Sequence, residues 1–216
     1  MAAPVNDPCT RQGEGPLCVD WHFYYSTVIG MTSNPSACER FLNALIGGTN
    51  DAAAWATDRT HGVLQGRDGF TYGVMMRFSK RPEKTKTNFI ASATYSWPEG
   101  KRGQMGMHFD AGFLRCVDDK TLEWNIANNN GANELLRGPV TETMQGGARA
   151  RLDAVGDTST VMPGRVTRRE LELKPAGQEG LIHTFYMTGN DGKLFEHLRE
   201  QMAPVKKADL GAYPRQ

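Results

Sequence analysis

The sequence predicts an all-β chain: one closed antiparallel barrel of about ten strands, preceded by a short helix and an N-terminal extension. Three observations predict it. From residue 69 onward, apolar side chains recur at every second position. Compact turn signals separate these runs, among them Pro98-Glu99-Gly100, Asp118-Asp119, Gly138-Pro139, Gly146-Gly147 and Asn190-Asp191-Gly192. No helical period interrupts the succession, so the strands form a meander, and a long meander loses its exposed edges by closing.

The elements follow in order. Residues 1 to 20 are polar and rich in Pro and Gly, and read as loop; Trp21-His22-Phe23-Tyr24-Tyr25 is too aromatic for a free tail and is expected to pack on the main domain. Asn34 as cap, Pro35 at the first helical position and apolar residues at Cys38, Phe41, Leu42, Leu45 and Ile46 spell a short amphipathic helix that Gly47-Gly48 ends. Phe70, Tyr72, Val74, Met76 and Phe78 alternate with Thr71, Gly73, Met75, Arg77 and Ser79. Phe89 to Trp97 alternate likewise, and Met105, Met107, Phe109, Ala111 and Phe113 make a third set. Leu122 to Ile126, Ala148 to Ala154, Thr167 to Leu173 and Leu181 to Met187 complete the series. Leu194 to Met202 suits a short helix as well as a strand. An inner face with Met76, Met105, Met107 and Met187 suits a plastic pocket around a flat apolar ligand, or simple core filling, equally well.

Bulk properties exclude several classes. A length of 216 residues with 39% hydrophobic content suits one domain. With 25 basic and 24 acidic residues, nothing in the charge calls for nucleic acid or an anionic membrane as partner. No apolar run approaches the roughly 18 residues of a membrane span, and the polar N-terminus lacks the order of a secretory signal, which favours a cytoplasmic location. Cys9, Cys18, Cys38 and Cys116 form no Cys-x-x-Cys pair, which argues against a structural zinc site, and in a cytoplasmic context they are expected to be reduced thiols. In an oxidising compartment Cys9 and Cys18 could close a small loop.

No nucleotide loop and no Gly-x-Ser-x-Gly elbow occurs. The histidines, His22, His61, His108, His183 and His197, are too scattered for zinc. A single histidine still suffices as an axial ligand of haem iron, with His108, His183 and His197 as candidates. Spacing does not choose among them, and each is also readable as a structural histidine.

Several motifs taken in order resemble the nitrobindin family. They are Phe70-Thr71-Tyr72-Gly73 with Arg77-Phe78-Ser79, Trp97 at a strand end, and Met107-His108 followed by Gly112-Phe113-Leu114-Arg115. Ala127-Asn128-Asn129-Asn130-Gly131 through Glu134-Leu135, Arg169-Glu170-Leu171-Glu172-Leu173, and Met187 spaced before His197-Leu198 complete the set. The resemblance covers residues 42 to 207 and implies a domain plan of extension (1–40), barrel (41–207) and C-terminal tail (208–216). It implies a ten-stranded barrel that binds haem b, with His197 as the metal ligand on the last strand. It places Met107, His108, Asn128 and Met187 around the cofactor, His108 and Asn128 being the groups that would assist catalysis. It further implies a small gaseous or nitrogen-oxide ligand, nitric oxide binding and isomerisation of peroxynitrite to nitrate, and it is compatible with a homodimer. The sequence departs from the family in two places: the Gly-x-Trp-x-Gly-x-Gly motif is not intact, and Leu64-Gln65-Gly66-Arg67-Asp68 replaces the loop that borders haem. These departures favour a second class, a haem-free or diverged barrel binding or acting on a small apolar ligand. Strict alternation turns Met107 inward and His108 outward, unless a bulge near Gly106 reverses them.

Overall fold

The computed structural model describes residues 35–47, 52–64, 67–80, 89–143, 146–155, 165–175, 178, 180–189 and 191–212. The expectations for Trp21 to Tyr25 and for Cys9 and Cys18 lie outside the described residues. Helix α1 (Ala37–Leu45) is followed by strands β1 (Ala52–Leu64), β2 (Arg67–Lys80), β3 (Phe89–Pro98), β4 (His108–Cys116) and β5 (Thr121–Asn128). Then come β6 (Asn133–Glu142), β7 (Ala148–Ala154), β8 (Arg165–Leu173), β9 (Leu181–Thr188) and β10 (Leu194–Pro204), and a C-terminal 3-10 helix (Lys207–Ala212). Each strand pairs antiparallel with the next, and β1 pairs with β10, so the sheet is a closed ten-stranded barrel. The fold class read from the sequence is the one observed, and residues 194 to 204 are strand rather than helix.

The helix cap sits at Ser36, not at Asn34. Ser36 Oγ accepts from the Glu39 N–H at 3.1 Å and Glu39 Oε2 accepts from the Ser36 N–H at 2.9 Å. This reciprocal box satisfies two terminal donors, which a lone Asn-Pro start does not. The apolar face of α1 then plugs one end of the barrel. Cys38, Phe41, Leu42, Leu45 and Ile46 are buried in one cluster with Trp55, Phe78, Ile90, Leu114 and Leu181. Trp55 Nε1 donates to the Leu45 carbonyl at 3.0 Å, which satisfies a C-terminal acceptor of the helix.

The expectation of free thiols is overturned here: Cys38 and Cys116 form a disulfide, with Cα atoms 5.8 Å apart. The helix packs its cysteine directly against the end of β4, so the two sulfurs meet through folding although 78 residues separate them. Spacing rules see only neighbours in sequence and could not pair them.

The phase of β3 and β4 is also opposite to expectation. In β4 the inward side chains are His108, Asp110 and Leu114, while Phe113 on the other face is exposed. Ser92, Thr94 and Ser96 accompany Ile90 inside, whereas Tyr95 and Trp97 belong to a second apolar cluster with Ala54, Ala56 and Met75, against which Phe109 and, from beyond β10, Val205 and Leu210 pack. The outer wall is apolar at these strands, so "apolar means inside" picks the wrong face. Met105 and Met107 precede β4 and are 58% and 44% exposed, so neither lines the interior; Met76 does. No described helix is long and apolar enough to cross a membrane.

Candidate functional site

The barrel end opposite α1 is the rim made by the end of β1, the start of β2, the ends of β5 and β9, and the starts of β4, β6 and β10. Register breaks gather on this side. Thr57 to Thr60 and Gly62 to Leu64 interrupt the β1–β2 ladder, Val166 to Arg168 the β8–β9 ladder, and Glu196 to Leu198 the β9–β10 ladder. Bulges re-aim side chains at barrel rims. The last one matters most: Glu196 pairs with Tyr186 and Leu198 with Phe185, so His197 is the extra, unpaired residue.

His197 Nδ1 bonds the Val63 carbonyl at 2.5 Å. A carbonyl only accepts, so Nδ1 carries the proton and Nε2 of the neutral ring carries the lone pair. Burial pulls the imidazole below its ordinary value, against the opposing Val63 bond and the Glu200 charge, so the ring is neutral at pH 7. Phe185, Phe195 and Phe70 surround it, with ring centroids 5.9, 6.3 and 6.4 Å from its own. Gly62 makes this approach possible: a Cβ there would lie 2.5 Å from the Phe70 ring and 2.8 Å from Leu198.

Below the rim lies a belt of buried charge. Arg169 is 2% exposed and grips Glu134 with both prongs, Nε to Oε2 at 2.9 Å and NH2 to Oε1 at 2.8 Å. Its NH1 lies 3.7 Å from Asp110 Oδ2. The guanidinium carbon stands 4.2 Å from the Phe185 ring centre and 5.2 Å from that of Trp124. Burial alone would weaken the Arg169 charge, but Glu134, Asp110 and Glu200 together hold its pKa above the ordinary value. Likewise, burial pushes the Asp110 carboxyl up, yet the His108 bond, Arg169 and Thr94 outweigh it and hold it below the usual range. A second buried group joins Tyr72, His183 and Glu200. Tyr72 Oη donates to Glu200 Oε1 at 2.8 Å and His183 Nδ1 donates to Oε2 at 2.7 Å. Burial, then the Glu200 charge and hydrogen bond, raise the Tyr72 pKa far above normal, so it stays a phenol.

The sequence-derived residues fall unevenly on this geometry. His108 faces inward, its side chain 37% exposed and Nε2 3.5 Å from Asp110 Oδ2. No bulge is needed, because β4 begins at His108 with the opposite phase. Asn128 Nδ2 donates to Glu134 Oε1 at 2.9 Å and to the Ala132 carbonyl at 3.2 Å. Asp110 and Asn128 are register partners, so His108 and Asn128 sit on adjoining strands at the same rim. Met187 is partly buried and pairs across with Phe195 beside His197. Met107 does not join them: it is exposed, and its N–H donates to the Ser96 carbonyl at 2.8 Å. Sequence reasoning missed Asp110, Glu134, Arg169 and Glu200. The signal was present, since Arg169 shares its alternation with Leu171 and Leu173, Glu134 with Leu136, and Glu200 with Met202. A charge in phase with core leucines is an inward charge.

One neutral imidazole with its tautomer fixed, set among aromatic rings at the barrel rim, is a donor set that suits porphyrin iron. Residues 52–203 match the family described as the THAP4-like, heme-binding beta-barrel domain, so the chain belongs to this family of haem-binding barrels. The resemblance drawn from the ordered motifs is thus borne out. Among solved structures, the chain is similar to Rv2717c from M. tuberculosis, with a TM-score of 0.60 and 18% identity, over 80% of this chain and 100% of that chain. No curated protein matches the sequence.

Proposed function

We propose that His197 Nε2 would hold haem b, and that the haem protein would bind nitric oxide or a related nitrogen oxide and isomerise peroxynitrite to nitrate. The observation that carries this reading is His197 itself. It is a bulged residue at the rim, kept neutral by burial and held by the Val63 carbonyl so that one nitrogen is available. Bound haem would supply an iron centre able to take a diatomic or nitrogen-oxide ligand; the barrel supplies the ligand, the access and the polarity.

The chain's own residues have separable parts. Phe70, Phe185, Phe195 and Met187 offer apolar contact to a flat macrocycle and exclude water from His197. His108 and Asn128 are the polar groups proposed to hydrogen-bond a bound nitrogen oxide, and their carboxylate partners Asp110 and Glu134 hold them at the rim. Met107 has no part in this set, because it is exposed and precedes β4. The cytoplasmic location stays part of this reading. There the Cys38–Cys116 bond would have to survive reductants, and the complete burial of Cys38 offers that shielding.

Purified protein given hemin is expected to show a Soret band that His197→Ala abolishes, and stopped-flow decay of peroxynitrite is expected to accelerate with the ferric protein. A protein that takes up no hemin sinks the reading and favours the haem-free barrel for a small apolar ligand. A red His197→Ala variant that bleaches only on His108→Ala or His183→Ala reassigns the ligand.

A further inference from the structure

We infer that Arg169 is the positioning residue of this rim, the single group through which His108, Asn128 and the aromatic wall of His197 are held in register with one another. This rests on the proposed function for its meaning, though not for its geometry.

The argument starts from cost. An arginine placed inside a barrel loses its hydration and survives only if its donors are met. Arg169 meets them through the fork on Glu134 and the nearby Asp110. Each of these acids is also the partner of a rim residue. Glu134 Oε1 accepts at once from Arg169 NH2 and from Asn128 Nδ2, at 2.8 and 2.9 Å. Asp110 Oδ2 lies 3.7 Å from Arg169 NH1 and 3.5 Å from His108 Nε2. The third connection is a face: Phe185 lies against the guanidinium at 4.2 Å and its ring centre is 5.9 Å from that of His197. One planar cation thus borders the acid partner of each polar residue proposed for the ligand, and the aromatic ring beside His197.

The planar fork is the part that matters. A fork fixes the Glu134 carboxylate in plane and in rotation, whereas a point charge fixes only its distance. Asn128, which also donates to the Ala132 carbonyl, therefore takes its orientation in part from a carboxylate that the fork fixes. Asp110 and Thr94 are register partners across β3 and β4. With Arg169 removed, Asp110 would lose a charge partner, and its contact with His108 would change with it.

The apo-protein gives the first test. The Asn128 side-chain amide in a nitrogen-15 spectrum, identified by its loss in Asn128→Ala, is expected to be a resolved and slowly exchanging pair. In folded Arg169→Met it should shift and exchange about tenfold faster, as befits loss of a charge-assisted bond. Arg169→Lys should fail to restore it; full rescue by lysine overturns the role of the fork. The second readout is the carbon–oxygen stretch of the ferrous carbonyl form. Arg169→Met should move it in the same direction as the double variant His108→Ala/Asn128→Ala, and should add nothing in that background. An additive shift, or an Asn128 amide unchanged in a folded Arg169→Met protein, overturns the proposal. If Arg169→Met does not fold, Glu134→Gln, which weakens the same fork, replaces it with the same expectations. Absence of haem uptake by the wild type sinks the proposed function, and the amide result still judges Arg169.

Discussion

At His197 the chain carries one residue more than β9 can pair with, and this insertion gives the side chain a place that period-two alternation could not reveal. The histidine is tied by one backbone bond and touches the rim rather than the core. His197→Ala is therefore expected to abolish hemin uptake, read at the Soret band, while moving the apo-protein's unfolding free energy by less than about 1 kcal/mol. Arg169 is the opposite kind of residue. Arg169→Met strands Glu134 and Asp110 as buried charges, and urea unfolding of the apo-protein should show a loss of about 3–5 kcal/mol. Asp110 carries part of the pH dependence, beside Glu123, whose carboxyl is also held below the usual range. The Asp110 carboxyl is held below the usual range, so its contribution is present above the unfolded value near 3.9 and is lost as pH falls through the lower folded value. Acid unfolding of the wild type should thus steepen below about pH 4, and Asp110→Asn should flatten that part of the stability profile. What the sequence made legible at this scale was the list of histidines; ranking them needed the resemblance, and their supporting carboxylates needed the partner strands.

At the scale of elements, the helix and the strand phases show where local pattern suffices and where it does not. The apolar stripe of α1 was legible because one face of a helix is buried, and its five apolar positions are those found in the core. β1 was not, because four alanines, a tryptophan and two bulges blur its period. β6 was hidden by Gly138-Pro139, read as a turn. In the structure Gly138 lies within the strand, where a Cβ would come 1.8 Å from the Arg151 carbonyl oxygen, so glycine serves a close crossing of β7 instead. The Cys38–Cys116 bond was illegible because it joins two elements 78 residues apart. It ties the plug to β4, and the chain-entropy argument for a loop of that length gives a contribution of up to about 4.5 kcal/mol. Cys116→Ala, or reduction of the wild type, should lower the urea midpoint accordingly. A Cys116→Ala midpoint equal to that of the wild type would mean that helix packing alone closes the base.

At the scale of the molecule the barrel is layered: a base sealed by α1 and apolar side chains, a belt of buried charge around Arg169, and a rim where His197 stands among aromatic rings. The layering predicts that stability and cofactor binding are separable. Leu45 is wholly buried in the base and belongs to no part of the rim, so Leu45→Ala should cost about 2–5 kcal/mol in the apo-protein through cavity formation. The same substitution should leave the position of the Soret band unchanged. His197→Ala should do the reverse. A ligand that binds only the folded state raises stability by RT ln(1 + [L]/Kd), about 2.7 kcal/mol at a hundredfold excess over Kd. Added hemin should therefore raise the melting temperature of the wild type and of Leu45→Ala by similar amounts, from different starting points, and leave His197→Ala where it was. If Leu45→Ala also lost the hemin-induced rise, the base and the rim would be one cooperative site, and the charged belt between them would transmit packing defects rather than isolate them.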